Sequence, residues 1–163
     1  MVKKFMQNVV EVLTRPSTAF PRLARENDFN LAAAVLLIVS IITNLLDGGV
    51  TIVYGIVMAL VFWWVEAGIL HALAKMFGVQ GKLRRLLIVN AYVALPSVLL
   101  VPLSGVGGWE LIVLTAGGVW TMYLSYLAIR TIYPVSASKA VIMLFLLYFI
   151  LAVILAGAGL ALI

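Results

Sequence analysis

The sequence predicts an all-α fold: an integral membrane bundle of five transmembrane helices, preceded by an amphipathic helix suited to the membrane interface. Three observations carry this prediction. Of 163 residues, 65% are hydrophobic and only 10% are charged, whereas a soluble domain is about half apolar and about a quarter charged. The apolar residues gather in five long runs, each near or above the ~18 residues that cross a bilayer. All eleven Lys and Arg fall in the leader and in alternate loops, a one-sided placement expected of a multi-pass protein.

The leader comes first. Val2, Phe5, Met6, Val9 and Leu13 recur at helical spacing, with Lys3, Lys4, Asn8 and Glu11 between them. Such a helix can lie in the interface plane with its polar face toward headgroups; the plainer reading is a leader packed under the bundle. Pro16 should end it, and Ser17 can cap a second short segment carrying Phe20, Leu23, Arg22 and Arg25. Residues 1–28 thus form a cytoplasmic leader and 29–163 the membrane domain.

The five spans are expected near 30–46, 50–74, 86–103, 109–129 and 139–162. The segment "DGG" (47–49) reads as a tight turn, "KMFGVQGKLRR" (75–85) as a basic loop and "SGVGG" (104–108) as a glycine turn. The stretch "RTIYPVSASK" (130–139) carries Pro134, and Ser138 is a candidate cap for the last helix. Pro96 should kink the third span.

An odd number of crossings puts the leader, the second loop and the fourth loop on one side. Every basic residue lies there, and only Asp47 and Glu110 mark the other. Positive-inside bias then makes the N-terminus cytoplasmic and the C-terminus external, in the cell membrane. The pI of 9.8 follows from this basic end. Lys3, Lys4, Arg22, Arg25, Lys82, Arg84 and Arg85 are the candidate contacts to anionic headgroups, and a nucleic-acid partner is not expected. No cleavable signal peptide is expected, because the charged leader is too long for an n-region.

Helix contacts in a membrane favour small residues. Candidate stripes are Gly55, Ala59, Phe62 and Glu66 in the second span, and Gly117, Thr121, Ser125 and Ala128 in the fourth. The fifth carries Ala152, Ala156 and Gly159, the first Ala33, Ser40 and Asn44, and the third Asn90, Tyr92, Pro96 and Ser97. A stripe not used inside the bundle could serve a homo-oligomer or another membrane-protein partner.

Two ionisable residues stand out in "FWWVEAGILHALAKMFG" (62–78). Glu66 lies nine residues from Lys75, so roughly 13 Å below the basic boundary at 1.5 Å per residue. A bare carboxylate at that depth is costly, and it must be protonated, hydrogen-bonded or hydrated. Ser97, Thr121, Tyr123 and Tyr148 fall at a similar level and are its candidate partners. The acid is a proton- or ion-coupling carboxylate, part of a polar ligand site, or, protonated, interhelical hydrogen-bond glue. His71, the only histidine, is five residues on, about 140° around the helix. It is expected near the headgroups, bonded to Asn90 or to a lipid phosphate.

The chain has no cysteine and no HExxH, GxSxG, P-loop or CxxC pattern. Glu66 and His71 do not have the i, i+3 or i, i+4 spacing of helical metal ligands. No enzyme, metal or cofactor is expected.

The order of features resembles the Yip1 domain family of polytopic membrane proteins. "VLTRPSTAF" (12–20) is similar to the family's pre-membrane segment. "HALAKMFGVQGKLRRLLIVNAYVALP" (71–96) resembles its helix end, basic glycine-containing loop and following helix with a tyrosine and a proline. "WTMYLSYLAIRTIYPVSASKAVIMLFL" (120–146) resembles its last loop, in which a Ser-x-x-Ala segment opens the final helix. The resemblance implies a non-enzymatic, membrane-organising protein. Eukaryotic relatives act in vesicle trafficking and bind Rab-type small GTPases, but their Asp-Leu-Tyr-Gly-Pro-type acidic segment is absent here. The chain resembles the short prokaryotic form. The alternative expectation is a small transporter or channel, proton-coupled through Glu66.

Overall fold

The structure is a computed structural model that describes residues 2–46, 52–104, 108 and 110–160. Among these the chain forms eight helices: α1 (Val2–Thr14), α2 (Pro16–Glu26), α3 (Phe29–Leu46), α4 (Ile52–Met76), α5 (Leu83–Val93), α6 (Leu95–Ser104), α7 (Glu110–Ile132) and α8 (Ala137–Leu160). No strand occurs among the described residues. The fold is all-α, as the composition predicts. Four segments are long and apolar enough to cross a membrane: Ile52–Met76, Leu83–Leu100, Glu110–Ile132 and Ala137–Gly157; Phe29–Leu45 is apolar but shorter. The "DGG" turn lies outside what is described, as does most of "SGVGG".

The breaks have local causes. Pro16 occupies the first turn of α2, where its missing N–H costs nothing and its fixed φ suits a helix start. Ser17 is therefore already inside the helix and does not cap it: the residue at the cap position is Arg15, with no side-chain cap bond. Asn27 ends α2 with φ 53° and donates its N–H to the Leu23 carbonyl. Asp28 then caps α3, accepting the Leu31 N–H at 3.1 Å. α4 ends at Gly78, whose φ of +73° suits a residue without Cβ. The third span divides at Ala94, because Pro96 has no N–H to continue the ladder. Ser136, not Ser138, caps α8: its hydroxyl accepts the Lys139 N–H at 3.4 Å, and the helix opens at Ala137, earlier than expected.

α5 is the centre of the bundle. Every residue from Leu86 to Val93 is buried, and α2, α3, α4 and α7 all pack on it. That explains its apolar run, which is interrupted by Asn90 and has no exposed polar face. α2 closes one end, with Ala19, Phe20, Leu23 and Ala24 buried against α5 and α7. α1 is amphipathic as expected. Val12 is buried and Phe5, Val9 and Leu13 pack on the core, while Met6 and Val10 are exposed along its outer edge. Gly117 is a contact point: a Cβ there would overlap the Leu100 side chain of α6. The α8 stripe behaves differently from the others, since Ala152 and Ala156 face outward.

Candidate functional site

The inward face of α4 repeats at Ala59, Phe62, Trp63 and Glu66, and these four residues line one cavity of about 320 Å³. Trp63 fixes the wall. Its indole N–H donates to the Leu87 carbonyl of α5 at 2.9 Å, and its ring stacks on Phe29 at 5.5 Å between centroids. α5 contributes Asn90, α7 contributes Thr121, and α8 contributes Tyr148.

The four polar residues share one depth. Glu66 is nine residues from Lys75, Asn90 eight from Lys82, Thr121 nine from Arg130 and Tyr148 nine from Lys139. Each therefore sits roughly 12–14 Å along its helix from the basic boundary, near the middle of a ~30 Å hydrocarbon core. Four helices thus carry their deep polar groups to one level and one cavity. Asn90 is only 4% exposed, and its Oδ1 finds no hydrogen-bond partner among the described residues. The same holds for the Ser125 hydroxyl, one turn along α7 from Thr121. The lining includes no Lys, Arg or His. A carboxyl in such a place can act as a neutral donor to an amide oxygen, or as a carboxylate balanced by a cation that enters the cavity.

Of the expected partners of Glu66, Thr121 and Tyr148 share its cavity, while Ser97 and Tyr123 do not. The Ser97 hydroxyl donates to the Ala94 carbonyl at 2.6 Å, using its hydrogen bond at the kink. Tyr123 points outward and is exposed. Asn90 belongs with Glu66 and not with His71. Eight residues from Lys82, it stands at the level of the acid.

His71 forms a second, separate polar contact. Its Nδ1 lies 2.9 Å from the Tyr133 hydroxyl, and Tyr133 is buried, with its ring packed against Gly81. Burial pushes the Tyr133 phenol up to about 12. The sequence carries no spacing signal for this pair, whose members are 62 residues apart.

The basic residues divide into two groups. Lys4 and Arg22 are engaged within the protein. Arg22 pairs with Glu11 and Glu26 and donates to Asn8 Oδ1 at 2.9 Å. Lys4 pairs with Glu26 and Asp28 at 3.1 Å each. Asn8 in turn donates to the Tyr92 hydroxyl at 3.2 Å. Partial burial alone would raise the Glu26 carboxyl, but its bonds to Arg22 and Lys4 hold it below the usual range. Asp28 is held low by the Leu31 N–H and by Lys4. Lys3, Arg25, Lys82, Arg84 and Arg85 are exposed, and none of them forms an ion pair among the described residues. Arg84 lies over the Phe29 ring, 5.9 Å from its centroid.

Apolar helices of spanning length around a buried polar level define a multi-pass helical membrane protein. The particular family follows from comparison: the Yip1 domain model matches residues 10–159, and the chain belongs to that family. Comparison with curated proteins and with solved structures finds no match to the chain.

Proposed function

We propose that this protein is a non-enzymatic organiser of the membrane, seated in the cell membrane with its basic end in the cytoplasm and holding anionic lipid headgroups there. One observation carries the reading. The described ion pairs engage only Lys4 and Arg22, so Lys82, Arg84 and Arg85 present adjacent exposed cations where the α4–α5 loop meets the bundle. Uncompensated cations at a membrane end attract anionic lipid, at about 1 kcal/mol each near the surface. The outward Ala152 and Ala156 of α8 offer a close-packing strip for a neighbouring membrane helix.

The test is lipid enrichment around the purified protein in nanodiscs of mixed phosphatidylglycerol and phosphatidylcholine. The K82Q/R84Q/R85Q variant should lose at least about tenfold of the wild-type preference for the anionic lipid at low salt. Unchanged enrichment would remove the basis of this function.

A further inference from the structure

We propose that the Glu66 cavity is a binding site for a lipophilic organic ammonium, one that carries an N–H on an aromatic or branched hydrocarbon body. The inference is independent of the headgroup reading. Glu66 sits in a lining with no basic side chain, so no residue of the cavity supplies its counter-charge. An entering cation does. The space is about 320 Å³, within the range of small-molecule pockets, and a bare ion would leave most of it unfilled.

The remaining groups match the same ligand. Asn90 Oδ1 is a buried acceptor with no donor among the described residues; an ammonium N–H satisfies it, which a quaternary cation does not. The Thr121 and Tyr148 hydroxyls line the opposite helices and can accept further N–H groups. Phe62 and Trp63 form an aromatic wall that favours a cation at a ring face and hydrocarbon elsewhere. A neutral lipid would use the apolar wall but bring no counter-charge to a Glu66 carboxylate, which the lining does not supply.

The probe is 2-phenylethylammonium, titrated calorimetrically into the full-length protein in zwitterionic micelles, with empty micelles and 2-phenylethanol as references. The expected result is saturable binding of the amine beyond its partition into micelles, no saturable binding of the alcohol, and at least a tenfold loss in E66Q. Y123F, altered on the outer face, should bind as the wild type does. Heats equal to those of empty micelles, or equal saturation by amine and alcohol, would overturn the proposal. So would an E66Q protein that elutes as the wild type does and binds undiminished. The amine–alcohol comparison uses the wild type alone and decides the matter even if E66Q fails to fold.

Discussion

Tyr133 shows how much a single side chain can tie together at the basic end. Its ring packs on Gly81, where any Cβ would overlap it and stand 3.2 Å from the Ile132 carbonyl; its hydroxyl meets His71. G81A should therefore destabilise the fold by about 1–3 kcal/mol, as overpacking does, measured by denaturant unfolding in micelles. Y133F keeps the ring and removes the hydroxyl, at about 1 kcal/mol near neutral pH. The pH dependence has a definite sign. The folded phenol titrates at about 12 against an ordinary value of 10.0, so the unfolded chain loses this proton first. The hydroxyl's contribution is complete below about pH 10 and declines as pH rises toward 12. The wild type's advantage over Y133F should shrink across that interval; a constant advantage would mean that the phenol is not shielded. None of this was legible in the sequence, because a contact across 62 residues leaves no periodic trace. Glu66 was legible, since an acid within an apolar run announces itself. Thr121 and Tyr148, which line the same cavity, followed from depth, whereas Ser97 and Tyr123 stood at a similar depth but do not line it. Depth is set by the chain's own rise, azimuth by packing that one sequence does not contain.

At the scale of elements, what the chain writes locally was readable and what neighbours impose was not. Pro96 foretold the division between α5 and α6, and the spacing of Phe5, Val9 and Leu13 foretold the inner face of α1. The caps at Ser17 and Ser138 were each misplaced by two residues: Pro16 starts α2 ahead of Ser17, and Ser136 competes with Ser138 at the start of α8. The joint between α1 and α2 was also hidden: Arg22 reads as a surface cation until Glu11, Glu26 and Asn8 are seen around it. This joint should behave as a clamp. R22A removes a partly buried set of charge-assisted bonds, costing about 1–3 kcal/mol, and leaves Glu11 unpaired. A spin label on M6C should then become more mobile, with α4–α8 unaffected. Acid should act in the same direction. Glu26 and Asp28 titrate below their ordinary values when folded, so their contribution is present above the normal carboxylate range. It is lost as pH falls through the lower, folded values. Label mobility that rises on acidification in the wild type, and that starts higher in R22A with a smaller further rise from the remaining Lys4 pairs, is the expected pattern. A label equally restrained in both proteins would show that apolar packing alone holds α1.

For the whole molecule, the deciding question is whether α3 crosses the membrane. Its apolar stretch is shorter than the four spanning segments; the helix has 18 residues, or roughly 27 Å at 1.5 Å per residue, a few ångströms under a typical core. Its two ends nevertheless belong to opposite ends of the bundle. At the start, Asp28 meets Lys4 and Phe29 lies under Arg84, both on the basic end. Near its finish, Asn44 is packed against Gly55, in the first turn of α4, whose other end carries Lys75. A helix that begins beside Arg84 and ends beside Gly55 runs alongside α4 and is expected to cross with it, since a bilayer thins locally to meet a shortfall of this size. With α3 crossing, five crossings are expected to separate the termini, the bias of the eleven basic residues placing the N-terminus inside. In a bacterial host, alkaline phosphatase fused after residue 163 should be active and a fluorescent reporter fused there should stay dark, with the reverse at the N-terminus. Activity of both fusions on the same side would mean that α3 does not cross. The Glu66 level, counted from basic ends shared by α4, α5, α7 and α8, would keep its depth, but the leader and the C-terminus would then face the same compartment.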